Sequence, residues 1–112
     1  MKIVVKAVCI AGPEGKRHDG LTWYEVFSDY FDRDAFPGVS GGHMRFEWRE
    51  DDQALYVITE YESTRHLEKD EEERLIKYTM GQWSDGIGEN FESEDDYPSP
   101  WQPGQVAHLE YQ

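Results

Sequence analysis

Apolar residues recur along this chain in two rhythms, and the switch between them predicts its elements. Residues 2–10 (KIVVKAVCI) are dense in β-branched side chains. Ile3, Val5, Ala7 and Cys9 fall on one side and Val4, Val8 and Ile10 on the other, which predicts a strand buried on both faces. Across residues 43–49, Met44, Phe46 and Trp48 alternate with Arg45, Glu47 and Arg49, a period of two with one buried face. A polar turn at 50–53 leads into residues 54–62 (ALYVITEYE), so the two segments predict a hairpin.

The helical rhythm occurs twice. After a glycine-rich loop at 11–20, Thr22 and Glu25 have the spacing of a capping box, with Leu21 and Val26 placed as a hydrophobic staple. Trp23, Tyr24, Val26, Phe27, Tyr30 and Phe31 then share one arc of a wheel, and Pro37-Gly38 stops the pattern. The second helix is expected from Ser63 or Thr64 to Thr79. Its early acids, its later Arg74 and Lys77, and the i,i+4 pairs Asp70–Arg74 and Glu73–Lys77 suit the helix dipole. Residues 81–104 alternate turn formers and aromatics without a period, and 105–112 can supply a short closing strand.

Strand, helix, strand, strand, helix, strand is the order of the ferredoxin-like split βαβ plan. The expected fold is therefore α+β: an antiparallel sheet, two helices on one face and a long irregular loop before the last strand. At 112 residues the chain fits one domain, 1–112.

Charge changes the picture most. There are 24 Asp and Glu against 11 Lys and Arg, a net charge of -13, and residues 78–112 contain no Lys or Arg. Aromatics at 14% separate the chain from disordered acidic sequences, which cannot bury enough apolar surface to offset ordering entropy. Such a surface repels nucleic acid and anionic lipid, so direct nucleic-acid and membrane binding are not expected and a cationic protein is. No run of about 18 apolar residues spans a membrane. The N-terminal apolar run, broken by Lys6, does not read as a secretory signal. With one cysteine, Cys9, no internal disulfide can form, and the cytoplasm is the expected location.

Candidate chemistry is sparse. His18, His43, His66 and His108 make no metal motif, and a pair such as His66 and Asp70 is two ligands only. Cys9 reads as a small buried hydrophobe. Neither catalytic residues, nor a metal, nor a cofactor is expected, and the chain is read as a non-enzyme. The binding candidates are the helix acids Glu68, Asp70, Glu71, Glu72 and Glu73 and the acids Asp85, Glu89, Glu92, Glu94, Asp95 and Asp96 beyond them. Trp83, Phe91 and Trp101 are the candidate apolar anchors, because aromatics are enriched at interface hot spots.

The stretch YTMGQWSDGIGENFE, residues 78–92, resembles a segment of small acidic proteins carried by phages and plasmids. Size and charge separately resemble the acidic anti-restriction and anti-CRISPR inhibitors that mimic DNA. These resemblances imply a mobile-element inhibitor in the host cytoplasm. Its carboxylates would stand in for phosphates in the cationic groove of a basic nucleic-acid-binding protein or complex, such as a CRISPR effector or restriction enzyme, the chain acting as monomer or dimer. Two alternatives stay open: an interaction module built on the glycine-aromatic loop 81–92, and a small ferredoxin-like ligand-binding domain or enzyme.

Overall fold

The computed structural model describes residues 1–20, 22–23, 35–90 and 107–112, with backbone alone at 10–11, 22–23 and 84–90. Strand β1 (Lys2–Ala11) is followed by a 3-10 turn at Pro13–His18 and the two-residue strand β2 (Thr22–Trp23). Strands β3 (Val39–Arg49) and β4 (Ala54–Ser63) lead to helix α1 (Lys69–Asn90), and β5 (His108–Tyr111) closes the chain. The strands lie in the order β2-β3-β4-β1-β5, every neighbouring pair antiparallel. The fold is α+β, a sheet with a helix packed on it.

The predicted strands form because their alternation lines one face of the sheet with apolar side chains. Ile3, Val5, Ala7 and Cys9 of β1, Met44 and Phe46 of β3, and Leu55, Val57 and Tyr61 of β4 belong to one buried cluster with Leu75 and Trp83 of α1. On the opposite face of β1, Val4 is buried and Val8 half-buried, as two-sided burial requires. The hairpin is longer than its period-two core, because β3 starts at Val39. Between Ser40 and His43 the register slips by one residue, so that Gly41 and Gly42 together stand opposite Tyr61 in a bulge in which Gly41 takes a φ of 68°.

Four expectations are corrected. The capping-box threonine does not start a helix: Thr22 and Trp23 pair with Arg45 and Met44 as a short strand on the β3 edge. Local capping signals lose here to sheet pairing, which Thr and Trp also favour. The remainder of that predicted helix lies outside the described residues. The second helix begins at Lys69 rather than Ser63 or Thr64, because Ser63 still belongs to β4. Its amide donates to the Met1 carbonyl at 2.8 Å and its register partner is Val39.

That helix also continues to Asn90, through the Gly-Gln-Trp segment read as a loop. Interior glycine costs a helix about 1 kcal/mol relative to alanine. The stripe Glu71, Leu75, Thr79 and Trp83, one residue per turn and buried throughout, supplies the sheet contact that outweighs it. The closing strand is four residues rather than eight. It covers Ile3 to Lys6 of β1, and Lys2 and Gln112 exchange backbone hydrogen bonds at 2.9 Å beyond its end.

Candidate functional site

The acidic helix start is built by residues far apart in sequence. After β4 the chain crosses from Thr64 to Glu68 in an irregular stretch, and Leu67 turns inward at 8% exposure. Glu68 takes the N-cap position: its carbonyl accepts the Glu72 amide at 2.9 Å, the first turn of α1. Glu71, three residues on, reaches back to accept the Glu68 amide at 3.1 Å, which is the acidic half of a capping box. Arg65 lays its guanidinium along the same carboxylate, Nη1 to Oε1 at 3.0 Å and Nη2 to Oε2 at 2.5 Å. The Arg65 Nε donates to the Pro37 carbonyl, so this one side chain ties the helix start to the β3 approach. That fork, and then the Glu68 amide, pull the Glu71 carboxyl down to about 2; the same pairing raises Arg65.

Tyr111 of β5 completes the junction. Its hydroxyl accepts the Leu67 amide at 3.0 Å and donates to Glu72 Oε2 at 2.8 Å. The His66 ring lies 4.4 Å from the Tyr111 ring, so it packs on an aromatic before the helix begins and does not share a helix face with Asp70. Among the described residues no group of three His, Cys, Asp or Glu could hold a metal.

These contacts divide the predicted acids. Glu71 is 9% exposed and held by Arg65, and Glu72 is half-buried and bonded to Tyr111, so both serve the fold. Glu68, Asp70 and Glu73 are exposed, and Asp70 has a loose contact with Arg74 at 3.9 Å. Negative charge at a helix N-terminus is stabilised by the dipole, so these three add outward field with little cost to folding. Asp85 and Glu89 lie on the last turns of α1. Phe91, Glu92, Glu94, Asp95, Asp96 and Trp101 lie outside the described residues.

Trp83 is core and presents no anchor. It is fully buried, and its indole N–H donates to Thr59 Oγ1 on β4 at 2.7 Å. One turn earlier, Thr79 Oγ1 donates to the Leu75 carbonyl and so accepts from the Tyr61 hydroxyl, both at 2.7 Å. The helix is therefore pinned to β4 at two successive turns. Arg65, Tyr111 and Thr59 were missed by the sequence reading. The Glu68-x-x-Glu71 spacing was the one local signal available for the cap.

On the sheet, Glu47, Glu60 and Glu110 are paired with cations. Lys2 and Arg45 both pair with Glu60, at 3.6 Å and 2.8 Å, and Lys6 pairs with Glu110 at 3.0 Å. Burial pushes Glu60 up, but the Arg45 hydrogen bond and the charges of Arg45 and Lys2 outweigh it and leave the group lowered. Lys6 lowers Glu110 in the same way, and Lys16 lowers Glu50 at the hairpin turn. The Cys9 thiol is pushed up to about 12 by burial, which removes it as a nucleophile at neutral pH. No described helix is long and apolar enough to cross a membrane.

Compared with known proteins, the chain matches no protein-family model, no curated protein and no solved structure.

Proposed function

We propose that this chain is a non-enzymatic binding protein whose surplus carboxylates engage a cationic protein surface. The specific reading is a mobile-element inhibitor that occupies the nucleic-acid-binding groove of a host defence complex, of the CRISPR effector or restriction enzyme class, as a DNA mimic. One observation carries it. Among the described residues seven ion pairs each consume a different Lys or Arg: Lys2, Lys6, Lys16, Arg45, Arg49, Arg65 and Arg74. Seven of the chain's eleven Lys and Arg are thus engaged by its own carboxylates, against a net charge of -13. Glu68, Asp70 and Glu73 stay exposed, and the sequence beyond Lys77 adds only acids.

A field of one sign steers association with an oppositely charged groove and weakens with salt. Charge by itself gives little specificity, so an apolar or shaped contact must accompany it. Within the same reading we assign the fold to the ferredoxin-like plan. The order β3-β4-β1-β5 is what a split βαβ sheet requires, and it supports that assignment.

The test is capture from host lysate at low salt followed by DNA displacement. The tagged chain is expected to retain a basic nucleic-acid-binding protein and to compete with a DNA duplex for it. Replacing Glu68, Asp70 and Glu73 together with Gln is expected to weaken that competition about tenfold or more. Capture of partners with no basic groove, or DNA binding untouched by excess chain, would refute the reading.

A further inference from the structure

The sheet carries four described carboxylates on its strands, and three have cations: Glu47 with Arg49, Glu60 with Arg45 and Lys2, Glu110 with Lys6. The fourth, Glu62 on β4, is exposed, and no hydrogen bond or ion pair engages its side chain among the described residues. Its register partners are Lys2 on one side and Ser40 on the other. The Lys2 ammonium leans instead toward Glu60, two residues back along β4.

Glu62 also borders a concavity. Where β3 bulges between Ser40 and His43, a half-open cavity of about 290 Å³ forms, lined in part by Lys2, Ser40, Gly41, His43, Glu60 and Glu62. The bulge residues are glycines, and a Cβ built at Gly41 would meet nothing within 4 Å. The cavity therefore has room for a long side chain, an unneutralised carboxylate and the Ser40 hydroxyl. Glu60 and Tyr61, which also line it, are already bonded.

We propose that this cavity receives one arginine side chain of a protein partner, its guanidinium forking onto Glu62. A planar guanidinium matches a carboxylate through two parallel N–H donors and is weakly hydrated, which suits a half-open site. The inference rests on the reading that the partner is cationic and adds the shaped contact that charge alone lacks. It also places recognition on the sheet, in addition to the exposed acids of the helix start.

The probe is Nα-acetyl-L-arginine methylamide, titrated into the intact isotope-labelled chain and followed by amide chemical shifts. The citrulline analogue, neutral and of nearly the same shape, is the control. Saturable shifts are expected at residues 40–43 and 60–62, about tenfold weaker for Glu62→Gln and for citrulline, as loss of a charge-assisted pair requires. Ser40→Tyr, which fills the cavity from the residue paired with Glu62 and leaves the carboxylate itself in place, is expected to abolish them. Equal binding of citrulline, indifference to Glu62→Gln, or shifts confined to other residues overturns the assignment. If the monomeric probe fails while salt-sensitive capture of a basic protein persists, the cavity assignment alone falls. If both fail, the acidic-surface reading falls with it.

Discussion

Replacing Trp83 by Phe tests whether the helix runs through the glycine-containing segment and docks on β4. The indole N–H donates to Thr59 Oγ1 at 2.7 Å, and both residues are fully buried. Phe keeps an aromatic ring on the sheet but removes the donor. A buried polar group left without its partner costs about 1–3 kcal/mol. The smaller ring adds a cavity term of about 1 kcal/mol. The expected loss is about 2–4 kcal/mol, a large share of the 5–15 kcal/mol typical of a domain. Thr59→Val orphans the indole instead and is expected to cost about 1–3 kcal/mol. The double variant leaves neither group stranded. Its cost is expected to fall short of the sum of the two singles by about 1–3 kcal/mol, read from urea unfolding monitored by circular dichroism. Additivity to within about 0.5 kcal/mol would refute the contact and return the segment to a loop.

Three further outcomes follow from the same geometry. Gly81 sits inside α1 with open space where a Cβ would go, so Gly81→Ala is expected to raise stability by about 0.5–1 kcal/mol in the same unfolding assay, and destabilisation would mean the residue is not helical. The Glu71 carboxyl is lowered to about 2 by Arg65 and the Glu68 amide, so its stabilisation is complete above the ordinary value of 4.5 and is lost as pH falls through about 2. The stability gap between the parent chain and Glu71→Gln is therefore expected to be flat near neutrality and to shrink between about pH 5 and 2; a gap independent of pH would contradict the pairing. The Cys9 thiol, buried and pushed up to about 12, is expected to resist an aromatic disulfide reagent in the native state and to react fully in denaturant, and rapid native labelling would contradict its burial.

Alternation made the sheet legible. Met44, Phe46 and Trp48 against Arg45, Glu47 and Arg49 define a face whatever the rest of the chain does, and β1, β3 and β4 appear where that pattern lies. The helices were harder, for opposite reasons. Thr22 carries a strong local capping signal, yet Thr22 and Trp23 pair with β3. Gly81, Gly86 and Gly88 carry a strong breaking signal that burial of Leu75, Thr79 and Trp83 overrides. In both cases a nonlocal contact decided the conformation, and one-dimensional patterns do not contain it.

The candidate site divides similarly. The excess of carboxylates is plain from composition. Which of them are spent is not, because Glu71 depends on Arg65 six residues earlier and Glu72 on Tyr111 thirty-nine residues later. The same limit hid Glu62, whose isolation appears only once its neighbours in the sheet are known to be paired elsewhere.

The central claim is that exposed carboxylates of this chain bind a cationic protein surface. Its most direct test is the salt dependence of affinity for the captured partner, measured for the parent chain and for the triple Gln variant at Glu68, Asp70 and Glu73. The account predicts that affinity falls about tenfold or more between about 50 mM and 200 mM salt, and that the variant shows a shallower slope. Affinity unchanged by salt, with the variant and the parent superimposed, would contradict it.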